Sequence, residues 1–148
     1  MKVKDCMSQN VCCVKPEAKI QEVAKLMSQN HIGCIPVCDD KNSICGIVTD
    51  RDIMLRCVAC DKDIKQTPVS EIMTCNVYTC KENDNMTDAE RIMGTNQIRR
   101  LPVCDNNNKV IGILTLANLA QNKENLNTQE FCITIENICD CNNNKNAE

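Results

Sequence analysis

Sliding the sequence along itself by 66 residues lays Val3–Ile53 on Val69–Leu119 without a gap. Sixteen of those 51 positions are identical, among them Met7, Pro36, Val37, Asp39, Gly46, Ile47 and Thr49. A match of that length with no insertion marks a duplicated structural unit, and a duplication limits the possible folds more than any local propensity does. Each copy reads as β-α-β-β-α. A short strand comes first, around Val11–Val14 and Asn76–Cys80. A helix follows, with Ile20, Val23, Ala24 and Met27 at i, i+3, i+4 and i+7 in one copy and Met86, Ala89 and Met93 in the other. The buried strands CIPVC (Cys34–Cys38) and RLPVC (Arg100–Cys104) lead through polar turns to CGIVT and IGILT. A second helix opens at once, at Asp50 and at Leu116. A crossover helix between the first two strands implies that they pair in parallel.

At about 50 residues a single copy has too little interior to be stable alone. The expected architecture is therefore α/β (α+β): two β-α-β-β-α repeats packed sheet to sheet, related by a pseudo-twofold axis. Repeat 1 is expected over 1–60, a polar linker over 61–68, repeat 2 over 69–121, and a short helix with a disordered tail over 122–148. Met1–Asp5 parallels the segment before repeat 2 and reads as the lead-in of repeat 1. Thr128 is the expected N-cap of the last helix, with Phe131, Ile135 and Ile138 on its apolar face.

The 14 cysteines, set against one Tyr and one Phe, decide how the interior is filled. No export signal is recognisable at the start of the sequence, and many of the cysteines occupy strand or helix positions where an aliphatic residue would serve. They read mostly as reduced, small hydrophobes of a cytoplasmic protein. The net charge of −3 and the lack of a basic run argue against a nucleic-acid partner. No stretch approaches the roughly 18 apolar residues of a membrane span. His31 alone cannot build a His-rich metal centre, and no nucleophile elbow, phosphate-binding loop or dinucleotide fingerprint is present. The expectation is a chain that is not an enzyme and requires no cofactor and no metal. The Cys57–Cys60 pair and the Cys139–Cys141 pair read as incidental.

Thr49 and Asp52 are the chemically pointed residues. Thr49 ends a strand and Asp52 lies one turn into the helix that follows. A hydroxyl, a carboxylate and free helix N–H groups would then converge, a place suited to a phosphate and a ribose.

The duplication, the segments HIGCIPVCDD and QIRRLPVCDN, and the paired GIVTDRD and GILTLAN together resemble tandem cystathionine-β-synthase (CBS) domains. The family motif, Gly-hydrophobic-x-Ser/Thr-x-x-Asp, is matched in full by Gly46, Ile47, Thr49 and Asp52. The second copy has Gly112, Ile113 and Thr115, with Asn118 in place of the Asp. The resemblance implies a stand-alone regulatory module that binds AMP, ADP, ATP or another adenosyl compound in two related sites between the repeats. One site would use Ile47, Thr49 and Asp52, facing Val77, Tyr78, Ile98 and Arg99, with Arg100 as a further phosphate partner. The other would use Ile113, Thr115 and Asn118, facing Val11, Cys12, Ile32 and Gly33. The resemblance also implies a homodimer that transmits ligand state to a regulated protein of unknown identity. Two alternatives stand beside this reading: a cysteine-based metal or redox sensor on the same scaffold, and a structural dimerisation module with decayed ligand sites.

Overall fold

The computed structural model of the chain describes residues 1–140. The expected disordered tail, Asn142–Glu148, lies outside the described residues. The repeat 1 elements are α1 (Ile20–Asn30), β1 (Cys34–Cys38), β2 (Ile44–Thr49) and α2 (Asp50–Asp52), which continues as a π-helical stretch over Ile53–Val58. Repeat 2 follows with β3 (Cys80–Lys81), α3 (Met86–Thr95), β4 (Arg100–Cys104), β5 (Val110–Thr115) and α4 (Leu116–Gln121). The last helix, α5, spans Thr128–Cys139. The mixed α/β class expected from the sequence is the class observed.

The first strands are shorter than the sequence suggests. In repeat 1 the strand is reduced to one parallel bridge, Val14 with Val37. In repeat 2 only Cys80 and Lys81 pair, in parallel, with Val103 and Cys104. In this register the residues before them run opposite Pro36 and Pro102, and a proline has no N–H to give the ladder. The parallel sense is as expected from the crossover helix. β1 and β2 form an antiparallel hairpin, Cys34 opposite Thr49 and Val37 opposite Gly46, with a bulge between Val37 and Cys38. α1 buries Ile20, Val23 and Met27 as its apolar spacing dictates, but Ala24 is exposed. The helix closes on His31, which takes the left-handed conformation at φ 53° and donates its N–H back to the last turn.

The chain folds into two compact units. One gathers Asn10–Val77 and Asn106–Val110; the other gathers Met1–Gln9, Tyr78–Asp105 and the described residues from Ile111 onward. The lead-in Met1–Gln9 therefore packs with the body of repeat 2. Val3 is fully buried there beside Met86, Leu101 and Leu114. Likewise Val69 and Ile72, which precede repeat 2, pack against Ile20, Val37 and Ile53. These exchanged segments complete the helix starts. Ile20 and Gln21 donate their N–H groups to the carbonyls of Thr67 and Ile64 at 3.1 and 3.0 Å. Met86 donates to Met1 O at 3.1 Å. The polar 61–68 stretch thus satisfies N–H groups that α1 itself leaves open.

α5 lies against α3, where Thr134 and Ile138 are buried. Its cap is Asn127, whose side chain accepts from the Glu130 N–H at 3.1 Å, so the helix begins one residue earlier than a Thr128 cap would place it.

Candidate functional site

In the unit holding repeat 1, β2 ends at Thr49 and α2 begins at Asp50. The two residues of interest bind each other across the first turn. Asp52 N–H donates to Thr49 Oγ1 at 3.1 Å, and Thr49 N–H donates to Asp52 Oδ2 at 3.0 Å. This reciprocal box fixes both side chains at the strand-to-helix corner. It also fills the helix start. Asp50 N–H donates to Gly33 O at 3.1 Å and Arg51 N–H to Asp50 Oδ1 at 2.9 Å. The free N–H groups expected here for a phosphate are therefore already used. What remains on offer is the Thr49 hydroxyl proton and the Asp52 carboxylate, whose four lone-pair sites are not exhausted by one N–H.

Arg56, which the sequence did not single out, completes the corner. Its Nη1 lies 3.7 Å from Asp52 Oδ1 and donates to Ile72 O at 3.0 Å and Thr74 Oγ1 at 3.3 Å. Thr74 is held in turn by a two-way bridge with Ile47, both bonds at 2.9 Å. A positive side chain four residues after an acid on a helix was a legible i,i+4 signal. Its anchoring by Ile72 and Thr74 was not, because that segment comes from the exchanged lead-in. Ile47 is half-buried beside this corner, and Gly33, Ile32, Val11, Cys12 and Val77 are half-buried in the same unit.

The unit holding repeat 2 repeats the corner with neutral groups. Asn118 N–H donates to Thr115 Oγ1 at 3.2 Å and Thr115 N–H to Asn118 Oδ1 at 2.9 Å. Here the Thr115 hydroxyl also donates to Asn118 Oδ1 at 2.7 Å, and Asn118 Nδ2 donates to Ser8 Oγ at 3.2 Å. Ser8 is the counterpart of Thr74 and bridges Ile113 in the same two-way fashion. Asn122 stands at the position of Arg56. The acid and the base of the first corner are thus both replaced by Asn, and the second corner is closed on itself. Leu116 N–H donates to Arg99 O at 3.1 Å, the equivalent of the Asp50–Gly33 bond. Arg99 is exposed, Arg100 and Ile98 are half-buried, and Tyr78 is 43% exposed.

Gly46 and Gly112 serve packing. A Cβ on Gly46 would sit 2.3 Å from Met73 Sδ, and one on Gly112 would sit 2.4 Å from Met7 Sδ. Met7 and Met73 are themselves repeat equivalents in the two lead-ins. The motif glycine therefore makes room for the exchanged segment.

Among the described residues no group of three or more His, Cys, Asp or Glu side chains is arranged to hold a metal ion. No helix among them is long and apolar enough to cross a membrane.

The fold has parallels in known proteins. The CBS-domain-containing protein YhcV of Bacillus subtilis is 45% identical over 121 residues, covering 82% of this chain and 84% of that one. The structure of CBSX2 in complex with AMP aligns with a TM-score of 0.72 at 29% identity, covering 84% and 96% of the two chains. The CBS-domain pair of protein MJ0100, in complex with 5′-methylthioadenosine and S-adenosyl-L-methionine, aligns with a TM-score of 0.74 at 29% identity, covering 82% and 98%. The CBS-domain family model matches twice, over residues 3–58 and 69–124, the two copies set apart by the 66-residue repeat. The chain belongs to the CBS-domain family, as a tandem pair.

Proposed function

We propose that the protein is a non-catalytic regulatory module that binds an adenosine-type nucleotide through the Thr49–Asp52 corner. The observation that carries this reading is the Asp52 carboxylate. It is only 15% exposed, is fixed by the Thr49 box, and retains acceptor sites for a ribose diol. Support also comes from related CBS pairs solved with AMP and with methylthioadenosine and S-adenosylmethionine. The contrasting corner favours one dominant site. Asn118 spends its amide on Ser8 and accepts the Thr115 hydroxyl, so a ribose would have to break both bonds. Because the helix start has no spare N–H, phosphate recognition falls to arginine side chains, with Arg99 and Arg100 the candidates named from the sequence.

The module acts in the cytoplasm as a homodimer. Met54, Leu55 and Val58 are 57%, 51% and 53% exposed along the second helix of repeat 1, an apolar face suited to a second copy. Ligand binding shifts the module between states that a partner protein reads. A thermal-shift series with AMP, ADP, ATP, NAD and S-adenosylmethionine tests the reading. A ligand present at 100 times its dissociation constant raises stability by about 2.7 kcal/mol. No shift with any of the five would remove the adenosyl assignment.

A further inference from the structure

The repeat 1 unit brings two sulfurs together that repeat 2 does not. Val14 and Val37 form the parallel bridge, and Cys38 N–H donates to Val14 O at 2.9 Å. Cys13 precedes the bridge on one strand and Cys38 follows it on the other, and their thiols are hydrogen-bonded. Cys38 is only 3% exposed, whereas Cys13 is exposed. Lys15 lies alongside, its Nζ donating to Asp39 O at 2.6 Å, and it places a positive charge near the pair.

Repeat 2 supplies an internal control. Lys81 makes the same bond to Asp105 O, and Cys104 is buried at the position of Cys38. The residue equivalent to Cys13 is Thr79, so the second sulfur is missing. The nearby Cys80 thiol is pushed up to about 12 by burial, then by Asp84 and Cys104, which leaves it protonated and unreactive. The Cys38 thiol moves the other way: its hydrogen bond to Cys13 lowers it, with help from Lys15, against the opposing effect of burial.

We propose that Cys13 and Cys38 are a redox modification site, a vicinal dithiol that closes to a disulfide by exchange with a low-molecular-weight disulfide. The exposed Cys13 thiolate attacks one sulfur of RS–SR. That S–S bond breaks, RS⁻ leaves and takes up a proton, and Cys13 carries the mixed disulfide. The Cys38 thiolate then attacks the Cys13 sulfur and expels the second RS⁻. Two protein thiols lose two electrons and one RS–SR becomes two RSH. The cross-link fastens the irregular stretch before Val14 to β1.

The test uses the full chain, reduced, desalted and incubated with oxidised glutathione, then acid-quenched, alkylated and mapped by mass spectrometry. The expected product links Cys13 to Cys38 while Cys80 and Cys104 stay alkylatable. Cys38→Ser should trap glutathione on Cys13, because the resolving thiol is gone. Cys13→Thr, which copies repeat 2 and so is compatible with the fold, should lower oxidation of Cys38 at least about tenfold. The proposal is overturned if the parent keeps glutathione on Cys13 with Cys38 still alkylatable. It is equally overturned if Cys13 and Cys38 stay reduced after exposed Cys60 and Cys75 have reacted.

Discussion

At the scale of single residues, the two repeats act as each other's controls. The Gly46 position shows what the motif glycine is for. Gly46→Ala forces the Met73 side chain to move, because the new Cβ meets both Sδ and Cγ within 2.9 Å. Overpacking of this kind costs about 1–3 kcal/mol. In a Met73→Ala background the same change should cost markedly less, and a double-mutant cycle by urea denaturation measures the difference. Gly112→Ala should be relieved less completely by Met7→Ala, since its Cβ would also approach the backbone oxygen of Ser8 at 3.1 Å.

Glu90 carries a separate consequence at this scale. Its carboxylate is 1% exposed, neither oxygen has a hydrogen-bond partner, and burial followed by Glu130 raises its pKa to about 7. The folded-state value lies above the ordinary 4.5, so the folded protein holds a proton that the unfolded chain has released. The native state is therefore favoured below pH 4.5 and loses that advantage as pH rises towards 7. The loss is on the order of 3 kcal/mol, with no further change from this group above that. Glu90→Gln should flatten the stability profile between pH 4.5 and 7 and leave the variant more stable than the parent at pH 8. A parent-like slope in the variant, followed by chemical denaturation across that range, would contradict this.

At the scale of elements, α5 explains why Glu90 is buried at all. The repeat 1 counterpart is Ala24, which is exposed because no helix among the described residues packs over α1 as α5 packs over α3. The helix depends on its cap: Asn127→Ala removes the acceptor for Glu130 N–H and should cost about 0.5–2 kcal/mol. The loss should be local, and hydrogen exchange should show α5 and the covered face of α3 losing protection before β4 and β5 do. Equal loss of protection throughout the repeat 2 unit would mean that α5 is not a separable element.

At the scale of the whole molecule, the duplication was legible because sixteen identities fall on one offset. The repeat order and the parallel sense of the first strands followed from it. The exchange of lead-ins was not legible. Val3 and Val69 occupy equivalent sequence positions, and no local periodicity says that each packs with the body of the other repeat. The anchoring of Arg56 was hidden for the same reason, since its partners Ile72 and Thr74 arrive with an exchanged segment. Glu90 looked like an ordinary polar helix residue because only α5, some forty residues later, turns its position into an interior one. The Thr49–Asp52 corner was found from the motif, but its hydrogen bonding shows a filled helix start where free N–H groups were expected. Assembly is tested at this scale by Leu55→Glu, which places a charge in the exposed apolar face of the second helix. Sedimentation should show a dimer for the parent and a monomer for the variant. Nucleotide recognition is tested most directly by calorimetric titration of AMP into the parent and into Asp52→Asn. Asn118 already shows that Asn can hold this capping box, so the variant should fold normally. Replacing charge-assisted bonds to the ribose by neutral ones should weaken binding about tenfold or more. Equal affinity in the two proteins would mean that Asp52 serves only as a helix cap and that the nucleotide, if bound, sits elsewhere.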